Sequence, residues 1–140
     1  MSNYFLQILI LSSIILQTTA ISDKRICFLS RRIRIYVVSQ LPLDSPPLTL
    51  RCQSGNDDLG IQTLYTGQGF TFNFCINFTT LFFCHLRWNG KDLSFEVFNN
   101  TGKDKAKCDA NGKCYYQARS DGIYFANDEP PKELNKIIDW

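Results

Sequence analysis

The chain is short of the residues on which small-enzyme chemistry usually depends. It has one histidine, His85, among 140 residues. That excludes a two-histidine ribonuclease mechanism. A Ser-His-Asp or Cys-His site would have to be built on His85, which strand alternation places between Cys84 and Leu86. No Cys-x-x-Cys pair is present, so the cysteines lack zinc spacing. No glycine-rich phosphate loop occurs, and carboxylate pairs stand outside any glycosidase motif. Asp57-Asp58 supplies too few oxygens for calcium. Charge of one sign is lacking too: fifteen basic and thirteen acidic residues give a net charge of +2, far from the basic excess of a nucleic-acid binder. Past the N-terminus no apolar run is long enough to cross a bilayer. Helical periodicity, internal repeats and low-complexity stretches are also missing. These absences predict no catalytic residues, metal or cofactor, no nucleic-acid partner and no membrane insertion.

What is present points outside the cell. Residues 5–15 form a short apolar run, followed by Thr18-Thr19-Ala20, the small residues a signal peptidase accepts. We read 1–20 as a secretory signal. Residues 21–32 follow as a basic segment carrying Lys24, Arg25, Arg31 and Arg32, and a single domain spans 33–140 with a C-terminal tail. The product is expected to be secreted and extracellular. Six cysteines in such a chain read as disulfides, and eleven phenylalanines supply bulk for one core.

The dominant period is two. Ile33, Ile35 and Val37 alternate with Arg34 and Tyr36; Phe70, Phe72, Phe74 and Ile76 with Thr71, Asn73 and Cys75. Phe82, Cys84, Leu86 and Trp88 alternate with Phe83, His85 and Arg87, and Leu93, Phe95 and Val97 with Ser94 and Glu96. Each pattern gives a strand one apolar face. Turn residues separate the runs, and Asn89-Gly90 is a two-residue hairpin signal. The spacing predicts about eight strands, near 33–38, 48–53, 60–65, 69–76, 80–88, 93–98, 113–119 and 122–126. The fold class is therefore all-β, a small antiparallel β-sandwich stapled by disulfides. Ile137, Ile138 and Trp140, at the end of the polar tail, are expected to dock on it.

The ordered motifs add a resemblance. Leu41-Pro42, Pro47-Leu48-Thr49-Leu50, Cys52-Gln53-Ser54 and Asp57-Asp58-Leu59-Gly60 come first. Phe70-x-Phe72-x-Phe74, Thr79-Thr80-Leu81-Phe82-Phe83-Cys84, Trp88, Cys108, Cys114 and Asp121-Gly122-Ile123-Tyr124 follow. Together they resemble the plant self-incompatibility S1 family, the S-protein homologues. The resemblance implies a secreted sandwich of two packed sheets with two disulfides drawn from Cys52, Cys84, Cys108 and Cys114. Cys108 and Cys114 flank a turn-rich loop that a local bridge would close, which leaves Cys52 and Cys84 to join two strands across the core. Cys27 and Cys75 are additional to the family set and can form a third pair, although a reactive thiol at Cys27, beside basic residues, is a competing reading.

Two sequons, Asn77-Phe78-Thr79 and Asn99-Asn100-Thr101, mark glycosylation sites at Asn77 and Asn99. The partner implied is an extracellular or cell-surface protein receptor met by loops, in self-incompatibility or other cell–cell signalling. The candidate loops are 54–58, 89–92, 99–107 and 109–113, with Asn56, Asp57, Asp58, Lys91, Asp92, Lys103, Asp104, Lys105 and Asp109 as contact residues. The alternative is an extracellular carbohydrate- or cell-wall-binding module using Tyr36, Phe98 and Tyr115 with the N-terminal basic residues.

Overall fold

The computed structural model describes residues 27–28, 30–77, 80–100, 108 and 112–140. The signal sequence, Lys24, Arg25, Lys103, Asp104, Lys105 and Asp109 lie outside the described residues. Nine strands make up the described structure: β1 Arg32–Ser39, β2 Leu48–Gln53, β3 Asp58–Leu64, β4 Gly69–Cys75, β5 Leu81–Trp88, β6 Lys91–Asn99, β7 Lys113–Arg119, β8 Gly122–Ala126 and β9 Asn135–Ile138. They form a five-stranded sheet ordered β4-β1-β7-β8-β9 and a four-stranded sheet ordered β3-β2-β5-β6.

The period-two pattern becomes burial directly. In β1, Ile33, Ile35 and Val37 are buried while Arg34 is exposed. In β5, Phe82, Cys84, Leu86 and Trp88 face inward and Phe83 and Arg87 outward. The two inner faces enclose one core that includes Ile35, Leu50, Leu86, Val97, Tyr116 and Ile123. Aromatic rings fill one end of it: Phe74 stacks on Phe82 with centroids 4.4 Å apart and meets Phe98 edge-on at 5.2 Å. A buried polar bond crosses between the sheets, from the Tyr116 hydroxyl to the Val97 carbonyl at 2.7 Å. Burial there pushes the Tyr116 phenol well above its ordinary pKa, so it stays a neutral donor.

The pairing departs from expectation in two ways. The sandwich is not wholly antiparallel, because β1 and β7 run parallel, with Arg34 opposite Lys113 and Ser39 opposite Ala118. Alternation along one strand reports its faces and not the direction of its neighbour. The tail also forms a ninth strand: β9 pairs with β8, Ile138 opposite Ile123. Trp140 then closes that end of the molecule. Its ring lies 5.7 Å from that of Trp88, and its indole N–H donates to the Arg119 carbonyl at 2.7 Å. Replacing Trp140 with alanine removes both contacts and is expected to cost about 2 kcal/mol, read as a lower urea midpoint with an unchanged slope.

Three disulfides cross-link the frame. Cys27–Cys75 ties the segment before β1 to the end of β4, and Cys108–Cys114 secures the approach to β7. The thiol reading of Cys27 is thereby replaced by a bridge. Cys52–Cys84 corrects a second expectation. It does not pass between the sheets; the two residues are direct cross-strand partners on β2 and β5 of one sheet, with Cα atoms 4.0 Å apart. Both side chains do face the core, and both are fully buried.

Candidate functional site

The strand register divides the turns between two ends of the sandwich. One end carries the β2–β3 turn at 54–57, the β4–β5 connection at 76–80 and the start of the β6–β7 connection at Asn100. The other carries the β5–β6 hairpin at Asn89-Gly90, the β7–β8 hairpin at Ser120-Asp121 and the β1–β2 connection at 40–47. The four candidate loops are therefore not one surface: 54–58 and 89–92 stand at opposite ends.

The 54–57 turn is held by its own first residue. Ser54 Oγ accepts from the backbone N–H groups of Asn56 and Asp57 at 3.4 and 3.1 Å, while the Ser54 N–H donates to the Asp57 carbonyl at 2.7 Å. Asn56 and Asp57 are left exposed at its tip. Asp58 does a different job. Its carboxylate receives Arg51 in a two-point pair, and the Gly60 N–H donates to it at 3.0 Å. The Arg51 guanidinium holds the Asp58 carboxyl down from its ordinary 3.8 to about 2. A carboxyl depressed in the folded state contributes stability that is complete above its ordinary pKa and is lost as pH falls through its folded value. Unfolding midpoints should thus decline from pH 3.8 towards 2, and Asp58→Asn should flatten that decline.

The 89–92 hairpin has the conformation its sequence predicts, with φ of 50° at Asn89 and 76° at Gly90, as a type I′ turn requires. Lys91 and Asp92 are engaged within the molecule. The Lys91 ammonium sits 5.5 Å from the centre of the Trp88 ring. Asp92 is bonded by His85 Nε2 and by Arg87 Nε, the latter at 3.3 Å. The His85 hydrogen bond is the main cause of a lowered Asp92 pKa. This group lies on the open outer face of the four-stranded sheet, together with Arg51.

The two sequons meet in space. The Asn100 side-chain amide donates to the Asn77 carbonyl at 2.9 Å, and the Asn100 N–H donates to the Thr80 carbonyl at 2.9 Å. Asn77 is exposed, and its side-chain carbonyl accepts from the Thr80 hydroxyl at 2.8 Å. Asn99 donates its side-chain amide to Glu96 at 2.9 Å.

A further polar group was not singled out by sequence. It lies on the outer face of the five-stranded sheet, at the 89–90 end. Tyr115 and Gln117 are each only 7% exposed although their strand turns them away from the core. Gln117 Nε2 donates to the Tyr115 hydroxyl at 3.1 Å, and Arg119 Nε donates to Gln117 Oε1 at 2.7 Å. The Arg119 guanidinium lies over the Tyr124 ring, 4.1 Å from its centre. The Tyr124 hydroxyl donates to Asp121 at 2.6 Å, and Lys136 stands 3.5 Å from the same carboxylate. The Tyr124 bond is the main cause of a lowered Asp121 pKa. Only the i, i+2, i+4 spacing of Tyr115, Gln117 and Arg119 hints at this row in sequence.

The arrangement also corrects the carbohydrate reading. Phe98 is 2% exposed and belongs to the core, and Tyr115 is covered. Two of its three aromatic contacts are therefore not free to stack on a sugar.

The architecture and its cysteines fit the expected family, and direct comparison decides it. The family model "Plant self-incompatibility protein S1" matches residues 34–140. The chain belongs to the plant self-incompatibility S1 family. Among relatives, it is 35% identical over 82 residues to S-protein homolog 5 of Arabidopsis thaliana, covering 57% of this chain and 61% of that protein. It is 33% identical over 98 residues to S-protein homolog 2 of the same plant, covering 66% of this chain and 59% of that one. The alignments thus span about three-fifths of those relatives' own length. A solved structure of SPH (self-incompatibility protein homologue) proteins matches with a TM-score of 0.57 at 28% identity, covering 77% of this chain and 96% of the other. That family is described as small, highly stable, secreted proteins from plants, and this chain is one of its secreted S1-type members.

Membership in the S1 family explains the motif string by its positions. The cysteines at 52 and 84 pair β2 with β5, the Phe70-x-Phe72-x-Phe74 row lines the core from β4, and Asp121-Gly122-Ile123-Tyr124 forms the hairpin beside Arg119. Most of the S1 motif residues are thus frame. Asn56, Lys91 and Arg119 lie outside it, whereas the exposed Asp57 and the Tyr124 under Arg119 belong to it.

Proposed function

We propose that the protein is an extracellular ligand, acting by binding rather than catalysis, that engages a cell-surface protein in cell–cell signalling through the exposed turns of its sandwich. The observation that carries this reading is rigid display. Local hydrogen bonds such as those of Ser54 hold polar turns in place, on a frame cross-linked by three disulfides. Pre-ordered turns lose little entropy on binding.

The test is binding of tagged, folded protein to intact plant cells and to protease-treated cells. Saturable binding that protease abolishes is expected. Binding that survives protease and is removed by wall-degrading enzymes would overturn the reading. Asn56→Ala with Asp57→Ala alters one end and Lys91→Ala the other, so paired measurements show which end is used. Retention of full binding when both ends are changed would also sink the turn assignment.

A further inference from the structure

The row ending at Arg119 is organised beyond what the fold needs. Gln117 is buried and spends both ends of its amide, one on the Tyr115 hydroxyl and one on Arg119 Nε. Tyr124 covers a face of the guanidinium. An arginine so held has already given up side-chain freedom that an exposed arginine normally keeps. Yet among the described residues neither of its Nη groups has a hydrogen-bond or ion-pair partner. The nearby carboxylate, Asp121, is occupied by the Tyr124 hydroxyl and by Lys136. Arg119 borders an open cleft with Gln40, Pro42, Gln117, Ser120 and Tyr124. What remains free is the planar, two-donor edge that matches a carboxylate.

We infer that this cleft receives an acidic side chain, Asp or Glu, from the protein partner, with Arg119 as the residue that binds it and Gln117 as the one that positions Arg119. The inference rests on the ligand reading above and names the chemistry of the partner. Charge chooses the anion. Asp121 lines the same cleft, so its negative charge opposes a doubly charged phosphate more than a single carboxylate. Covered rings choose the class of partner. Tyr124 is the cleft's aromatic, and the guanidinium already lies over it, so a sugar ring would have to compete with Arg119 for that face. Position agrees: the cleft is at the 89–90 end, away from Asn77 and Asn99, so glycans at the sequons would not obstruct it.

The experiment titrates the folded, disulfide-intact protein with hexaglutamate, hexaglutamine and trigalacturonate, following the Arg119 Nε–H resonance. Saturable movement with hexaglutamate, at about tenfold lower concentration than either of the others, is expected for one charge-assisted pair. Arg119→Lys keeps the charge and loses the fork, and should weaken hexaglutamate about tenfold in a protein that still folds. Gln117→Leu should weaken it less and broaden the Arg119 signal. Equal response to hexaglutamine, or equal response of Arg34 and Arg87, overturns the site. Tighter binding of trigalacturonate overturns the partner class. On cells, wild-type binding that Arg119→Lys leaves intact defeats this inference alone. No wild-type binding defeats the ligand reading, and the peptide titration still decides the cleft.

Discussion

Replacing Cys52 and Cys84 together by alanine is expected to lower stability by about 3–4 kcal/mol, the loop-closure value for a bridge of this span. The two residues are separated by 32 positions in sequence. Unbridged, they free the unfolded chain to explore conformations that the disulfide forbids. The native cost adds in the same direction, because both sulfurs are buried in the core between β2 and β5, and alanine leaves a space there. Yet the β2–β5 ladder should survive, since its backbone bonds do not depend on the bridge. The expected result is therefore a folded protein with unchanged far-ultraviolet dichroism and a much reduced denaturation midpoint. A double variant as stable as the parent would show that the bridge contributes nothing to the frame.

Gly122→Ala is expected to have an effect of similar size through a different cause. Gly122 has φ of 150°, and a Cβ built on it would sit 2.3 Å from the Ile138 carbonyl oxygen. The obstacle is backbone, so no side chain can swing aside; β9 must move. Loss of the β8–β9 ladder would release Trp140 from Trp88 and from the Arg119 carbonyl. Strain and lost packing together suggest about 2–4 kcal/mol. Hydrogen exchange should show it locally, with β9 amides exposed and β2–β5 amides still protected. Uniform protection equal to the parent would refute the steric account.

Much of this molecule was legible in its alternation. The strands expected near 48–53 and 80–88 match β2 and β5, because apolar residues at every second position give each one buried face. What alternation cannot carry is the identity of a neighbour. It placed Cys52 and Cys84 on inner faces, yet it could not say that they share a sheet. Nor could it foresee the parallel β1–β7 pair. The ninth strand escaped for a local reason: Asn135, Lys136 and Ile137 are exposed, so no apolar stripe announces them, and the strand exists because Gly122 lets it approach. Arg119 escaped for the opposite reason. Gln117 shares β7 with it, but Tyr124 lies on β8, and a cross-strand contact is invisible until register is known. Asp58, Lys91 and Asp92 read as recognition residues from their places in candidate loops, and alternation could not show that each also has a neighbour bound to it inside the molecule.

The parallel pairing of β1 with β7 also sets a schedule for making the protein. β1 is the first of the described strands in the chain, but one of its two long edges has no neighbour until β7, six strands later, is made. Until then Ile33, Ile35 and Val37 stand beside an open row of backbone donors and acceptors, a surface suited to joining the wrong chain. Such distant pairing is slow. A chain that stops before Lys113 therefore cannot finish its central sheet, and that edge of β1 stays open for the whole interval between the two strands.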